Sequence, residues 1–103
     1  MAYSIKFIPE AAKDFAELDK SIQLQIAGKI EKLSNNPLLG EPLGRKYGID
    51  LTGFYKLYAI KKKYRIVYRL IGETIELIEI MRIGKRDKEE IYRIVAKKAK
   101  GAK

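Results

Sequence analysis

Cationic and aromatic side chains in the second half of the chain have types and spacing that could bind and cleave a phosphodiester. Lys56 and Arg65 fall on neighbouring predicted strands, and Arg86 and Tyr92 follow the last of those strands. Lysine and arginine bring positive charge to a phosphate, and a tyrosine ring can stack on a base. Taken singly, each of these residues is at least as typical of an ordinary protein surface as of a phosphate site. The pattern therefore indicates a site only if the side chains lie close together in the fold.

The composition restricts the chemistry that such residues can perform. The 103-residue chain contains no Cys and no His, so the commonest metal ligands and the commonest general base near neutral pH are missing. No metal-binding motif, P-loop, GxSxG or dinucleotide fingerprint occurs. We therefore expect no metal and no cofactor. The lack of cysteine also suits a reducing cytoplasm.

The positive charge is concentrated in one half of the chain. Overall there are 22 basic and 13 acidic residues, a formal charge of +9. Residues 1–53 carry seven of each sign, whereas residues 54–103 carry 15 basic and 6 acidic residues. Such clustering predicts a polyanionic partner, nucleic acid first and an acidic protein second. The alternative is a basic face that only aids solubility.

The order of hydrophobic patterns predicts a single α+β domain over residues 1–103. No stretch approaches the ~20 apolar residues of a membrane helix, so we expect no membrane partner. A two-helix hairpin should pack on one face of an antiparallel sheet, because both present apolar residues. The predicted elements are a strand at 3–8, helices at 9–19 and 21–35, a Gly/Pro-rich loop at 36–53, a three-stranded meander (54–60, 64–71, 74–83) and a helix at 87–100.

Strand alternation predicts which side chains lie opposite the helices. Strand spacing of about 4.8 Å would bring side chains of neighbouring strands within reach of one phosphate and its neighbours. Within the last strand, alternation gives Arg82 the same face as Ile78 and Ile80. Five side chains are expected to converge on this uncovered surface: Lys56, Tyr58, Arg65, Arg69 and Arg82. Three further candidate RNA contacts flank it: Lys61, Lys63 and Lys85.

Several of these segments together resemble the RelE branch of the RelE/ParE toxin superfamily. The resemblance covers nearly the whole chain. It implies a RelE-like fold, a small basic toxin, and a co-encoded antitoxin that neutralises it. The segments are Met1-Ala2-Tyr3, Pro9-Glu10-Ala11, Tyr55-Lys56, Tyr64-Arg65-Ile66-Val67-Tyr68, Ile83-Gly84-Lys85-Arg86 and Ile91-Tyr92.

The resemblance also implies roles for four catalytic residues. Lys56 matches a lysine that acts as base or phosphate contact, and Arg65 matches an arginine that steadies the phosphate. Arg86 matches an arginine that serves as general acid or charge clamp, and Tyr92 matches a tyrosine that positions or stacks the nucleotide. One position departs from the family, because Tyr58 stands where a second lysine is expected.

RelE-type members cut mRNA in the ribosomal A site, whereas ParE-type members poison DNA gyrase. The Lys/Arg/Tyr set favours the first activity. The sequence therefore predicts a metal-independent, ribosome-dependent mRNA endonuclease, in which a 2′-hydroxyl attacks the adjacent phosphate. The expected partners are the ribosome, mRNA and an acidic RelB-like antitoxin. A ParE-like gyrase inhibitor and a catalytically weak RNA-binding module remain the alternatives.

Overall fold

Two helices and five strands make up the part of the chain that the structure, a computed structural model, describes: residues 3–46, 49–72 and 77–85. In chain order the elements are β1 (Ser4–Phe7), α1 (Pro9–Ala16), α2 (Lys20–Asn35), β2 (Glu41–Lys46), β3 (Ile49–Ala59), β4 (Tyr64–Ile71) and β5 (Leu77–Lys85). The predicted α+β class with a helical hairpin is confirmed. The helix predicted at 87–100 lies outside the described residues.

The two helices bury the apolar stripes that the sequence predicts. Pro9 begins α1, where its fixed φ suits the first helical position. On α2, Ile26, Ile30 and Leu33 are buried because they recur on one face of the helix. They belong to the same core cluster as Tyr68 of β4. Each such side chain contributes about 1.5–3 kcal/mol through burial, so this stripe fixes the hairpin on the sheet.

The sheet is mixed, which corrects the prediction of an antiparallel sheet. Its strand order is β1-β5-β4-β3-β2. β1 pairs with β5 in parallel, while the three other neighbouring pairs are antiparallel. The predicted meander of β3, β4 and β5 is confirmed. The orientation of β1 was missed because alternation within one strand carries no information about its partner.

The segment predicted as a loop at 36–53 contains a strand, and this prediction was wrong. β2 pairs with β3, whose own start at Ile49 falls within the predicted loop. Pro42 and Gly44 suggested a loop, but β2 is an edge strand, where proline is tolerated. Gly44 has φ +58° and lies beside a shift in register, as expected for a glycine at an irregular point of a strand.

A register irregularity in β5 changes the side to which Arg82 belongs. Val67 of β4 pairs with Arg82, whereas the next residue, Tyr68, pairs with Ile80. Met81 is therefore an extra residue, as in a β-bulge. Arg82 consequently lies on the face opposite Ile80, and the predicted alternation of Arg82 with Ile78 and Ile80 was wrong.

Candidate functional site

One face of the sheet carries three rows of side chains, and we call it the cationic face. Residues paired across neighbouring strands share a face, and successive rows lie about 7 Å apart. Taken from β3 through β4 to β5, the rows are Phe54–Arg69–Glu79, Lys56–Val67–Arg82 and Tyr58–Arg65–Gly84. The face therefore brings together the five side chains that the sequence analysis expected to converge.

Lys56 and Tyr58 lie next to each other on this face, on β3. Both side chains are half-buried. The Nζ of Lys56 donates a hydrogen bond of 2.9 Å to the hydroxyl of Tyr58 and lies 4.9 Å from the centre of its ring. A cation held over an aromatic ring is stabilised by the charge distribution of the ring. Tyr58, at the position where a second lysine was expected, therefore orients Lys56.

The centre of the cationic face is buried, which differs from the predicted uncovered surface. Val67 is fully buried and Arg65 is 3% exposed. Val67 lies between Lys56 and Arg82 in its row, and long side chains of this type bury their stems along apolar neighbours. The Arg65 guanidinium donates a hydrogen bond of 3.4 Å to the backbone carbonyl of Lys85. Arg65 is thus shielded from solvent, next to its cross-strand partner Tyr58.

Arg69 and Arg82 are each held by a carboxylate. Arg69 donates from Nε to Glu79 at 2.6 Å, and its guanidinium lies 6.0 Å from the ring centre of Phe54. Arg82 binds both carboxylate oxygens of Asp14 on α1, at 2.7 and 2.9 Å. This hydrogen-bonded pairing raises the pKa of Arg82, while its partial burial opposes the rise.

Asp14 also joins α1 to the edge of the sheet. Its carboxylate accepts a hydrogen bond of 3.0 Å from the backbone N–H of Ile83. β1 pairs with β5 only as far as Ile80, so this N–H lies beyond the end of the paired strand. A side-chain acceptor at such a position satisfies a backbone donor of the sheet edge. The Asp14–Arg82 pair therefore connects α1 to β5.

The other candidate residues are placed as follows. Lys61 and Lys63 are exposed in the turn between β3 and β4. Lys85 pairs with Tyr64, which places it on the side of the sheet opposite Lys56. Arg86 and Tyr92 lie outside the described residues.

A carboxylate that the sequence analysis missed lies beside the candidate site. Glu41 is the cross-strand partner of Lys56, and paired residues direct their side chains to the same face. Glu41 was missed because residues 36–53 were interpreted as a loop. Pro42 and Gly44 interrupt the alternating pattern of residues 41–46. The strand, and with it the position of Glu41, is therefore evident only from the pairing with β3.

The strand that carries Lys56 is fixed from behind by Tyr68. The Tyr68 hydroxyl donates to the carbonyl of Pro37 at 3.0 Å and accepts from the N–H of Gly40 at 2.9 Å. Its ring stacks on Tyr55 with centroids 5.4 Å apart. Burial raises the pKa of Tyr68 to about 12, although the Gly40 hydrogen bond opposes the rise. Tyr68 thereby connects the segment between α2 and β2 to β3, on the side of the sheet opposite Lys56.

Two negative findings concern the described part of the chain. Residues 3–46, 49–72 and 77–85 contain no group of three or more acidic side chains placed to hold a metal ion. Neither α1 nor α2, the helices of that part, has the length and apolar character that a membrane crossing requires.

Comparison with known proteins identifies the family of this chain. The family model of the ParE toxin of type II toxin-antitoxin systems matches residues 5–90. A RelE-like toxin protein of Escherichia coli is 33% identical over 98 residues, covering 95% of this chain and 98% of the relative. The chain therefore belongs to the ParE toxin family, within the RelE/ParE superfamily that its sequence resembles.

Two further comparisons refine this assignment. The mRNA interferase toxin RelE of E. coli K12 is 28% identical over 95 residues, covering 89% of this chain and 92% of the relative. The toxin in the RelBE2 toxin-antitoxin complex of Mycobacterium tuberculosis is 27% identical, with a TM-score of 0.64. That comparison covers 84% of this chain and the whole of the other. The two-helix, five-stranded architecture is thus that of the RelE-like toxins.

Proposed function

We propose that this toxin is a metal-independent endoribonuclease that cleaves mRNA on the ribosome. The observation that carries the proposal is the convergence of Lys56, Tyr58 and Arg65 in adjacent rows of one sheet face. A relative that matches most of the chain is named an mRNA interferase. Enzymatic RNA cleavage without a metal needs charge stabilisation at the phosphate and a base for the 2′-hydroxyl. Such activity would take place in the cytoplasm.

Glu41 supplies the base in this proposal, and Lys56 supplies charge. The Nζ of Lys56 already donates to the hydroxyl of Tyr58, which suits a group that presents positive charge to the phosphate. Glu41 is paired with Lys56 on the same face. Its carboxylate takes the 2′-hydroxyl proton, the 2′-oxygen bonds to the adjacent phosphorus, and the bond from phosphorus to the 5′-oxygen breaks. The products are a 2′,3′-cyclic phosphate and, after protonation, a 5′-hydroxyl.

The remaining candidates have supporting roles. Arg65 stabilises the phosphate electrostatically, since a buried cation in a medium of low dielectric stabilises developing negative charge with little solvent screening. Arg86 and Tyr92 retain the roles that the family resemblance implies, namely acid or charge clamp and nucleotide positioning. We assign Arg69 and Arg82 to the stability of the sheet, because Glu79 and Asp14 already neutralise them.

Cleavage of a defined message in the presence of purified ribosomes tests the proposal. Wild type should create new 5′-hydroxyl ends, each matched by an upstream 2′,3′-cyclic phosphate, and only when ribosomes are present. Glu41→Gln and Lys56→Met should each slow cleavage by about 100-fold or more. Glu31→Gln, an exposed carboxylate on α2, is the matched control. An uncut message with wild type, or equal cleavage by all variants, would contradict the assignment.

A second candidate function is inhibition of DNA gyrase. The family model that matches the chain is named after the ParE toxin, and ParE-type toxins act on gyrase. This alternative makes no use of the cationic face as a nuclease site. Accumulation of cleaved DNA–gyrase complexes while the message stays intact would favour it. RNA binding with a steep salt dependence and no scission would instead indicate a catalytically weak RNA-binding module.

We further propose an acidic, RelB-like antitoxin as the partner of this toxin. The surplus of nine positive charges in residues 54–103 would attract an acidic segment over the cationic face. The M. tuberculosis relative was solved as a toxin-antitoxin complex. Co-expression with its cognate acidic antitoxin should yield a stable complex without cleavage activity. Separate elution of the two chains would contradict this pairing.

A further inference from the structure

A cavity of ≈ 360 Å³ opens at the corner where α2, the start of β2 and the β3–β4 turn meet. Among its lining residues are Lys29 of α2, Lys56 and Tyr58 of β3, Lys61 and Lys62 of the turn, and Glu41 of β2. Its volume lies at the small end of the roughly 300–1,000 Å³ typical of ligand sites. It therefore suits a small charged group and its immediate neighbours.

The cavity exists because β3 extends beyond its partner. β2 begins at Glu41, opposite Lys56, whereas β3 continues to Ala59. In the described part of the chain no strand pairs with the outer edge of Leu57–Ala59. Lys29 approaches this corner from α2. The pocket is thus a consequence of strand lengths, and three separate elements contribute its lining.

The charge of the lining is strongly unbalanced. Among the residues that the structure describes, the lining includes four lysines from three elements and one acidic residue, Glu41. Such a surplus of like charge opposes compact packing and raises the local concentration of anions. A lysine ammonium is a compact point charge that binds phosphate through up to three donors. The chemistry of the lining therefore favours a phosphate group over an apolar ligand.

The turn that contributes two of the lysines has an unusual backbone. Ile60, Lys61 and Lys62 all have positive φ, at 54°, 54° and 65°. Left-handed conformation is uncommon for residues other than glycine, and for a β-branched residue such as Ile60 it is a clear outlier. The turn is closed by a hydrogen bond of 3.0 Å from the Lys63 N–H to the Ile60 carbonyl. Strain of this type concentrates where a site must hold a fixed shape.

We infer that this cavity is an anion subsite that binds an RNA phosphate flanking the scissile one. The inference rests on the proposed function, and it deepens it by giving the RNA a second point of attachment. Lys56 belongs both to the cavity and to the cationic face, so one strand of RNA can follow both. The fixed turn holds Lys61 and Lys62 toward that strand, and Lys29 closes the subsite from the helix.

Binding of an uncleavable RNA tests this inference apart from catalysis. A short single-stranded 2′-O-methyl oligonucleotide lacks the attacking hydroxyl, so its affinity for the full chain can be measured at several salt concentrations. Lys29→Ala and Lys62→Ala should each make the plot of log affinity against log salt shallower by about 0.7, the loss of one phosphate contact. Lys32→Ala, an exposed lysine on the same helix outside the cavity lining, should leave the slope unchanged.

The outcomes separate the subsite from the nuclease assignment. Equal effects of Lys29→Ala and Lys32→Ala would overturn the subsite, even if wild type cleaves mRNA. A selective effect of Lys29→Ala would support it, even if no cleavage occurs. Lys29→Arg should retain the wild-type slope because it keeps the charge. An octaglutamate peptide is the second probe, and its Lys29-dependent binding without Lys29-dependent RNA binding would assign the cavity to a protein partner and overturn the inference.

Discussion

Two groups of cations in this protein differ in whether each cation contacts a carboxylate of its own. On the β4 and β5 side, Arg69 and Arg82 each contact one carboxylate, at 2.6 and 2.7 Å. At the other end, four lysines and Glu41 are among the described residues that line one cavity. A cation with its own carboxylate contributes to the fold, whereas a surplus of cations lowers stability and is retained where binding needs it. The contrast separates structural charge from functional charge.

The largest effect on stability should come from the paired side. Arg82→Met removes the partner of Asp14, whose side chain is only 13% exposed. Leaving a mostly buried carboxylate without its cation should lower the free energy of unfolding by about 2–4 kcal/mol. Urea denaturation measures this change. Lys13→Met, on the exposed side of the same helix, is the control and should have almost no effect. Equal stability of both variants would remove the contrast.

Two glycines should respond to alanine with opposite signs. A Cβ at Gly40 would lie 2.5 Å from the Lys56 carbonyl oxygen and 2.6 Å from the Tyr68 hydroxyl. Gly40→Ala should therefore cost about 1–3 kcal/mol and displace the strand that carries Lys56. Gly28→Ala meets open space within α2 and should stabilise by about 0.5–1 kcal/mol. Thermal unfolding distinguishes them, and a shift of the same sign in both would contradict the close approach.

Tyr68→Phe should have a moderate effect that depends on pH. The change leaves the Gly40 N–H and the Pro37 carbonyl without their buried partner, at about 1–2 kcal/mol. The native state raises the pKa of Tyr68 to about 12, from 10.0. The protonated phenol therefore stabilises the fold fully below pH 10, and this contribution is lost as pH rises toward about 12.

The control for Tyr68→Phe is wild type in the same alkaline series. The difference in unfolding free energy between the two proteins should narrow as pH rises above 10. A difference that stays constant to pH 12 would mean that the phenol does not keep its proton in the native state.

The smallest effect should appear at the strained turn, with the sign opposite to that at Arg82. Lys62→Gly removes a left-handed lysine and should raise the unfolding free energy by about 0.5–1 kcal/mol. It should also weaken RNA binding, because it removes a cavity cation. Lys62→Ala is the matched control, since it removes the charge but keeps the strained φ. If both variants keep wild-type RNA affinity, the turn does not serve binding.

The helices, the strands β4 and β5 and residues 54–59 of β3 could be predicted from the sequence because their patterns are local. Ile26, Ile30 and Leu33 recur at helical spacing, and alternation correctly placed Lys56 opposite Leu57. β2 could not be predicted in this way. It is stabilised by pairing with β3, and Pro42 and Gly44 interrupt the local signal that the pairing overrides.

Part of the candidate site also could not be predicted from the sequence. The side to which Arg82 belongs depends on the extra residue Met81, and alternation assumes that no such residue exists. The carboxylate on Arg82 comes from Asp14, 68 residues earlier in the chain, so spacing gave no hint of it. The proximity of Glu41 to Lys56 depended in turn on the undetected strand.

Lys56→Met and Arg82→Met, measured side by side, test most directly whether the cavity lysines serve RNA binding and cleavage while the carboxylate-bound arginines serve the fold. Each variant is assayed for ribosome-dependent cleavage per folded molecule and for its free energy of unfolding. Lys56→Met should lose cleavage by about 100-fold or more and keep the wild-type stability, whereas Arg82→Met should lose stability and keep the wild-type cleavage rate. Loss of cleavage by Arg82→Met at full folding, with Lys56→Met fully active, would contradict the account.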